Sequence, residues 1–284
     1  SEDTSVVITG VSIADVDAGA NDITVVLAVT NGTLTVSTTV GLSAGEITNN
    51  TTNSVTLTGT VTQINSTLAD AAGLTFNPTG DWAGTDTLNI TVNDQGNSGA
   101  GGNQTATDSS VTIAVSAQND APTITTATTT FSTSEDTSVV ITGVSIADVD
   151  AAGNDITVVL AVTNGTLTIS TTVALSAGEI TNNTTNSVTL TGSVTQINST
   201  LADAAGLTFN PTGDWAGTDT LNITVNDQGN SGAGGNQTAT DSSVTIAVSA
   251  QNDAPTITTA TTTFSTSEDT SVVITGVSIA DVDA

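Results

Sequence analysis

The sequence predicts an all-β protein made of tandem antiparallel β-sandwich modules with one short helix per module. Three observations carry this. The run Ser1-Glu2-Asp3-Thr4-Ser5-Val6-Val7-Ile8 returns at Ser134 and again at Ser267, a period of 133 residues. Residues 1–133 and 134–266 differ at five positions only: Gly19/Ala152, Ala20/Gly153, Val36/Ile169, Gly41/Ala174 and Thr60/Ser193. Within each period, short runs rich in Val, Ile, Thr and Leu alternate with Gly, Asn and Asp clusters, the pattern of a sandwich. A unit of this length can bury its own core, since domains commonly run to about 100–150 residues. The repeats therefore read as independent beads and not as a solenoid of short, mutually dependent turns.

Along one period, 6–13 and 23–30 are strand candidates. Asn31-Gly32, between an apolar run and Thr33-Leu34-Thr35-Val36, reads as a two-residue hairpin turn. Residues 54–62 form a further strand. The stretch 63–72 places Ile64, Leu68 and Ala71 or Ala72 on one face, which predicts the short helix. Leu74-Thr75-Phe76 leads into a turn at Asn77-Pro78-Thr79-Gly80, and Trp82 after it reads as a core aromatic. Residues 87–92 and 110–116 alternate apolar and polar positions, as half-buried antiparallel strands do. Pro122 marks a boundary, and 123–131 reads as the first strand of the next module. By this register 1–120 is a module lacking its first strand, 121–253 is a complete module, and 254–284 begins a third. The unpaired edge left in 1–120 invites pairing with another chain.

The charge narrows the function. The chain holds 28 acidic residues and no Lys, Arg or His. Such a surface repels phosphates, which excludes nucleic acid and direct contact with anionic membranes. Two carboxylates about 5 Å apart repel by roughly 1–3 kcal/mol, and no basic side chain is present to offset it. Clusters must be solvated apart, protonated or bridged by cations. Cysteine is absent, so no disulfide staples a module. No apolar run is long enough to span a bilayer as a helix. With His, Cys, Lys, Arg and Tyr all missing, catalysis is reduced to Ser, Thr and carboxylates, and an enzyme is not expected.

Strand parity places the acids. If 123–131 runs down a sandwich, Glu135 falls at the bottom. The next strand then runs up to Asp148, Asp150 and Asp155 at the top. Residues 220–225 also run up, to Asp227, and 243–249 run down to Asn252 and Asp253. The bottom of one module faces the top of the next. One junction would gather Glu2, Asn119 and Asp120 with Asp148, Asp150, Asp155 and Asp227. The next would gather Glu135, Asn252, Asp253, Asp281 and Asp283, and Asp15, Asp17, Asp22 and Asp94 hold the corresponding places at the top of the first module. An all-oxygen donor set without His or Cys favours Ca²⁺, which takes about six to eight oxygen ligands. The alternative is ordinary solvated loop acids, since Asp and Asn populate turns for local reasons.

The motifs Glu-Asp-Thr, Ala-Asp-Val-Asp, Val-Asn-Asp-Gln-Gly and Asn-Asp-Ala-Pro occur here in the order found in cadherin-like repeats. The chain most resembles the bacterial tandem cadherin-like repeats of large surface adhesins, and the resemblance spans the whole period. It implies a cadherin/Ig-like sandwich with Ca²⁺ between successive modules, held at Glu2, Asp120, Asp148, Asp150 and Asp227 of one junction. The cadherin Leu-Asp-Arg-Glu ligand segment has no counterpart, which implies fewer ions per junction. Two other calcium patterns fail. Asp15-x-Asp17-x-Gly19 becomes Ala152 at its glycine in the second copy and has no Glu at the twelfth position. Gly99-Ala100-Gly101-Gly102-Asn103 lacks the nonapeptide calcium repeat.

These readings predict a secreted or cell-surface structural array, a calcium-rigidified rod or stalk whose immediate partners are neighbouring identical modules. The rival is a subunit of a self-assembling filament or surface layer, a homopolymer formed by strand exchange. A glycan- or ice-binding role for the Thr-rich faces is the weaker alternative, because Thr is also simply a good strand residue.

Overall fold

The computed structural model describes residues 1–38, 40–98, 100–170 and 173–283. Two compact units are present. Unit 1 comprises Ser1–Asp120 with Ser231–Gly235, and unit 2 comprises Ala121–Asn230 with Asn236–Ala284.

Unit 1 contains eight strands: β1 (Val6–Val7), β2 (Ile23–Ala28), β3 (Gly32–Val36), β4 (Ile47–Thr48), β5 (Ser54–Gly59), β6 (Leu74–Pro78), β7 (Gly84–Asn93) and β8 (Thr105–Val115). They form a five-stranded sheet in the order β4-β5-β2-β7-β8 and a three-stranded sheet in the order β1-β6-β3, with every pairing antiparallel. Alternate residues of β2, β3, β5 and the middle of β7 turn inward. Val25, Leu27, Val55, Leu57 and Leu88 from the larger sheet meet Leu34, Leu74 and Phe76 from the smaller one, all fully buried in one core. Stripping this much apolar surface of water is what holds two thin sheets together. Trp82 lies half-buried against that core.

Helix α1 (Val61–Leu68) bridges the sheets. It starts earlier than the apolar spacing suggests because Thr60 caps it. The Thr60 hydroxyl accepts the Gln63 N–H at 3.2 Å, and the Gln63 side-chain carbonyl accepts the Thr60 N–H at 3.1 Å. Ile64 and Leu68 face the core as expected. Ala71 and Ala72 do not, since the chain has already left the helix and folded back, with the Gly73 N–H donating to the Asp70 carbonyl at 2.9 Å.

The structure corrects the reading of Asn31-Gly32. β2 pairs with β5 and β7, whereas β3 pairs with β6, so the two strands belong to different sheets and the dipeptide is a sheet-crossing corner. Glycine is required there for space. A Cβ on Gly32 would sit 2.5 Å from the Asn77 carbonyl oxygen and 2.6 Å from the Phe76 ring. The expected turn at 77–80 begins later, because β6 continues through Pro78. The first strand candidate shrinks to β1, the two residues that pair with β6.

Unit 2 repeats the pattern with β13 (Asp155–Ala161), β14 (Gly165–Ile169), β15 (Ile180–Thr181), β16 (Ser187–Ser193), β17 (Leu207–Pro211), β18 (Gly217–Asn226), β19 (Thr238–Ser249) and helix α2 (Val194–Leu201). It adds the segment that sequence reading took as one strand. That segment is two: β9 (Thr123–Thr126) and β10 (Thr130–Ser134). β9 pairs antiparallel with β12 (Val144–Ala147), and β10 pairs parallel with β19, so the chain changes sheets between them. β11 (Val139–Val140) joins β17 and β14 in the three-stranded sheet, and the larger sheet runs β10-β19-β18-β13-β16-β15. Within the remainder of unit 2, β20 (Thr256–Thr259) and β21 (Val277–Ala280) form a two-stranded ribbon whose residues are all exposed.

Candidate metal centre

The acidic residues lie at strand ends, where loops fold over their carboxylates. At the lower end of unit 2, Glu135 follows β10 and is 4% exposed, its Oε1 accepting the Gln251 N–H. Asp253 stands a few residues beyond β19. Its N–H donates to Asp283 Oδ2 at 2.6 Å, and the Asp283 N–H donates in turn to Asp281 Oδ1 at 3.1 Å. One carboxylate oxygen from each of Glu135, Asp253 and Asp283 falls within 4.8 Å of the other two. Asp253 Oδ2 is buried and accepts no hydrogen bond from the described residues. Burial pushes the Asp253 carboxyl above the usual aspartate range, and the charges of Asp136, Asp283, Asp214 and Glu135 push it the same way. Asn252 is exposed and its side-chain amide donates to the neighbouring Asp253 carbonyl, at 3.2 Å.

At the upper end of unit 2, Asp148 Oδ1 accepts the N–H groups of Asp150 and Ala151, both at 2.9 Å. Its Oδ2 is buried with no hydrogen-bond partner among the described residues. Burial raises the Asp148 carboxyl, the two N–H bonds oppose that, and the charges of Asp227 and Asp150 add to the rise. Asp227 is fully buried, with Oδ1 accepting the N–H groups of Gly229 and Gln237 at 2.8 Å each. Asp155 stands apart with an exposed side chain, and its carbonyl accepts from Asn230 at 2.9 Å.

Unit 1 carries the counterparts. Asp15, Asp17 and Asp94 line one surface groove of about 400 Å³. Asp15 Oδ1 accepts the Asp17 and Ala18 N–H groups at 2.9 and 3.2 Å. Asp94 Oδ1 accepts from Gln104 at 2.7 Å and Gly96 at 2.8 Å, bonds that hold its carboxyl below the usual range. The Asp22 and Asp17 carbonyls accept from Asn97 and Ser98 at 2.7 and 2.8 Å, which ties this loop to the next. At the lower end, buried Glu2 accepts the Gln118 N–H at 2.7 Å. Asn119 is buried too, its N–H donating to the Ala233 carbonyl at 2.8 Å. Asp120 gathers with Asp3 and Asp81, one carboxylate oxygen of each lying within 4.8 Å of the others.

Sequence reasoning missed three participants. Asp3 and Asp81 join Asp120, and Asp81 gets there from a loop in which it adopts a left-handed φ of 60°. The third is Asp86, with its repeat Asp219, only 4% and 3% exposed. Asp219 accepts backbone N–H groups from Asn164 at 2.6 Å, Thr220 at 2.8 Å and Thr163 at 3.1 Å. Such a carboxylate is satisfied by backbone donors and has a structural role, fixing the sheet-crossing corner. Its only sequence signal is an acid at an inward-facing position of a strand.

The ends of the units present hard oxygen donors only, which suit Ca²⁺ and not the thiophilic or imidazole-bound metals. The buried, unpartnered oxygens of Asp148 and Asp253 fit such an ion. At 4.8 Å two carboxylates repel by roughly 1–3.5 kcal/mol for effective dielectrics between water and a protein surface, and the sequence supplies no basic side chain to relieve it.

No family model matches this sequence, and no curated protein does. Among solved structures, the chain is similar to protocadherin gammaB7 EC3-6, a cis-dimer structure, at 13% identity and a TM-score of 0.31, covering 91% of this chain and 51% of that one. The corresponding figures for human CDH23 EC21-23 are 13%, 0.30, 91% and 68%. For invasin, a bacterial integrin-binding protein, they are 14%, 0.24, 87% and 38%. The chain thus spans about half the length of the protocadherin it matches.

Proposed function

We infer that this chain is part of an extracellular structural array, a rod or stalk of a bacterial surface adhesin whose β-sandwich units are stiffened by calcium at their acidic ends. One observation carries the reading. Glu135, Asp253 and Asp283 converge in a chain with no basic side chain, and Asp253 keeps a buried oxygen without a hydrogen-bond partner among the described residues. Asp253 lies in the stretch that follows β19, and Asp283 lies beyond β21. An ion held by all three would fix that stretch against the sandwich. Near-exact repetition suits a spacer, since length can be set by copy number. Calcium sites of extracellular modules are weak, at about 10⁻⁴–10⁻³ M, which ties rigidity to the medium outside a cell. No helix among the described residues is long and apolar enough to cross a membrane.

A second reading, the self-assembling filament, is favoured by a different observation: residues 1–133 and 134–266 differ at only five positions, and near-identical neighbouring modules are prone to exchange elements between chains. Small-angle scattering of dilute protein separates the two. The stiffened rod has a larger maximum dimension in millimolar calcium than after chelation, at constant mass. Equal dimensions in both conditions would remove the stiffening claim.

A further inference from the structure

Asparagine followed by glycine occurs twice in the chain, at Asn31-Gly32 and at Asn164-Gly165. The pair has a chemistry of its own. Glycine has no side chain, so its amide nitrogen reaches the preceding asparagine side chain unhindered. The nitrogen attacks Cγ, and the new N–Cγ bond closes a cyclic succinimide. The Cγ–Nδ2 bond breaks, and Nδ2 leaves as ammonia with the proton from the glycine amide. Water then opens the ring at either carbonyl, giving aspartate or isoaspartate. The conversion consumes one water, releases one ammonia, and requires no enzyme, metal or oxidant.

Ring closure demands movement. The planar peptide between Asn31 and Gly32 must turn about the Asn31 Cα–C bond to bring the nitrogen to Cγ. In the folded unit that plane is held. The Thr79 N–H donates to the Asn31 carbonyl at 3.0 Å, and the Asn31 N–H donates to Asp86 Oδ2 at 2.6 Å. Gly32 is buried in register with Pro78 and wedged against the Phe76 ring. Nor is Asp86 placed to act as a base for the attack, because its oxygens already accept the N–H groups of Thr30, Asn31 and Thr87. The second corner repeats each element. The Asn164 carbonyl accepts the Thr212 N–H at 3.0 Å, the Asn164 N–H donates to Asp219 Oδ2 at 2.6 Å, and Gly165 lies against Phe209.

We propose that Asn31-Gly32 and Asn164-Gly165 are self-modification sites guarded by Asp86 and Asp219. While a corner is closed, the succinimide does not form. Once it opens, the chain converts irreversibly. The product places a new carboxylate, or the longer isoaspartate backbone, beside the buried Asp86 or Asp219. Like charges repel there, and the chain has no basic side chain to offset them, so the corner does not close again as before. Where opening and closing are fast, the rate of conversion follows the population of open corners. Each repeat therefore accumulates a chemical mark of its own opening. The sites use none of the carboxylates clustered at the unit ends, so they do not depend on the calcium reading.

The test is mass spectrometry of the 284-residue protein aged in mildly alkaline buffer, with aspartate and isoaspartate at positions 31 and 164 quantified after digestion. A synthetic peptide of residues 28–35, identical to 161–168, gives the unprotected rate. Both sites in the folded protein should convert at least about 100-fold more slowly than the peptide. D86A should speed conversion at Asn31 by about 10–100-fold and leave Asn164 of the same molecule unchanged, and D219A should do the reverse. D86N, which keeps one acceptor oxygen, should fall between. I64A truncates a fully buried side chain of α1, outside the corner, and supplies a variant of comparable destabilisation. It should speed Asn31 less than D86A does. Conversion of the folded wild type at the peptide rate would overturn the proposal. So would an unchanged Asn31 rate in D86A, or equal acceleration by D86A and I64A at matched melting temperature, which would assign the protection to the unit as a whole.

Discussion

Replacing Asp219 by alanine removes the acceptor for three backbone N–H groups, those of Thr163 and Asn164 at the corner where the chain passes from one sheet to the other and that of Thr220 in β18. A hydrogen bond to a charged group contributes about 1.5–3 kcal/mol, and a buried donor left without one costs about 1–3 kcal/mol. Two terms pull the total down: removing a buried carboxylate relieves its desolvation, and Thr163 is exposed enough for water to reach. The expected net loss is about 2–4 kcal/mol, confined to unit 2. At about 4 °C per kcal/mol for a unit of this size, the unit 2 transition should fall by roughly 8–16 °C. Calorimetry in chelator reads this directly, with D86A as the reciprocal variant for unit 1. D219N, which keeps one acceptor oxygen, should fall between wild type and D219A. A shift under about 2 °C in D219A would refute the role assigned to this carboxylate.

Two further predictions concern ionisation. The Asp148 carboxyl is raised in the fold, chiefly by burial, so the folded state binds its proton more tightly than the unfolded chain. Its contribution is therefore greatest at low pH and is lost as pH rises through the raised value. D148N should accordingly stabilise the metal-free protein slightly at neutral pH. In calcium the same variant should be the less stable one, lacking about 1.4 kcal/mol at ten times the dissociation constant. Thermal melts of both proteins with and without calcium should cross over in order, and a variant that is less stable in both media would contradict the assignment. Glu46 and Glu179 show the opposite sign. Backbone and hydroxyl bonds from Ser43 and Ser176 hold their carboxyls below the usual glutamate range, and Gln63 and Gln196 add to this. That stabilisation is present above the unfolded value and is lost as pH falls through the folded one. Carbon-detected NMR titration should give both a midpoint below 4.5, the usual value, and an unshifted midpoint in either would remove the capping role.

Much of the fold was legible because period-two alternation and near-exact repetition are carried by single residues. Strands β2, β5 and β7 follow directly from runs such as Ile23-Thr24-Val25-Val26-Leu27. What was not legible depends on partners distant in sequence. Asn31-Gly32 has the composition of a hairpin turn, and only Asp86, which takes the Thr30 and Asn31 N–H groups from 55 or more residues away, makes it a corner. The break between β9 and β10 leaves no Gly or Pro as a signal, because Ala127, Thr128 and Thr129 suit a strand as well as a crossing. The strand directions read from the sequence put Glu135 with Asp253 at one end and Asp148 with Asp227 at the other, but the parallel pairing of β10 with β19 departs from the antiparallel sandwich expected. Asp3 and Asp81 escaped because local turn preference explains each of them equally well.

The central claim is that converging carboxylates hold calcium, and calorimetric titration of Ca²⁺ into metal-stripped protein at neutral pH tests it most directly. The account predicts saturable binding with a dissociation constant of about 10⁻⁴–10⁻³ M, and weaker binding of Mg²⁺, whose smaller, stricter octahedron suits this loop-built set less well. It also predicts that D253N combined with D283N removes binding at the lower end of unit 2 and leaves the other sites unchanged. No saturable heat at millimolar calcium, or a titration curve unaltered by that pair of substitutions, would contradict it.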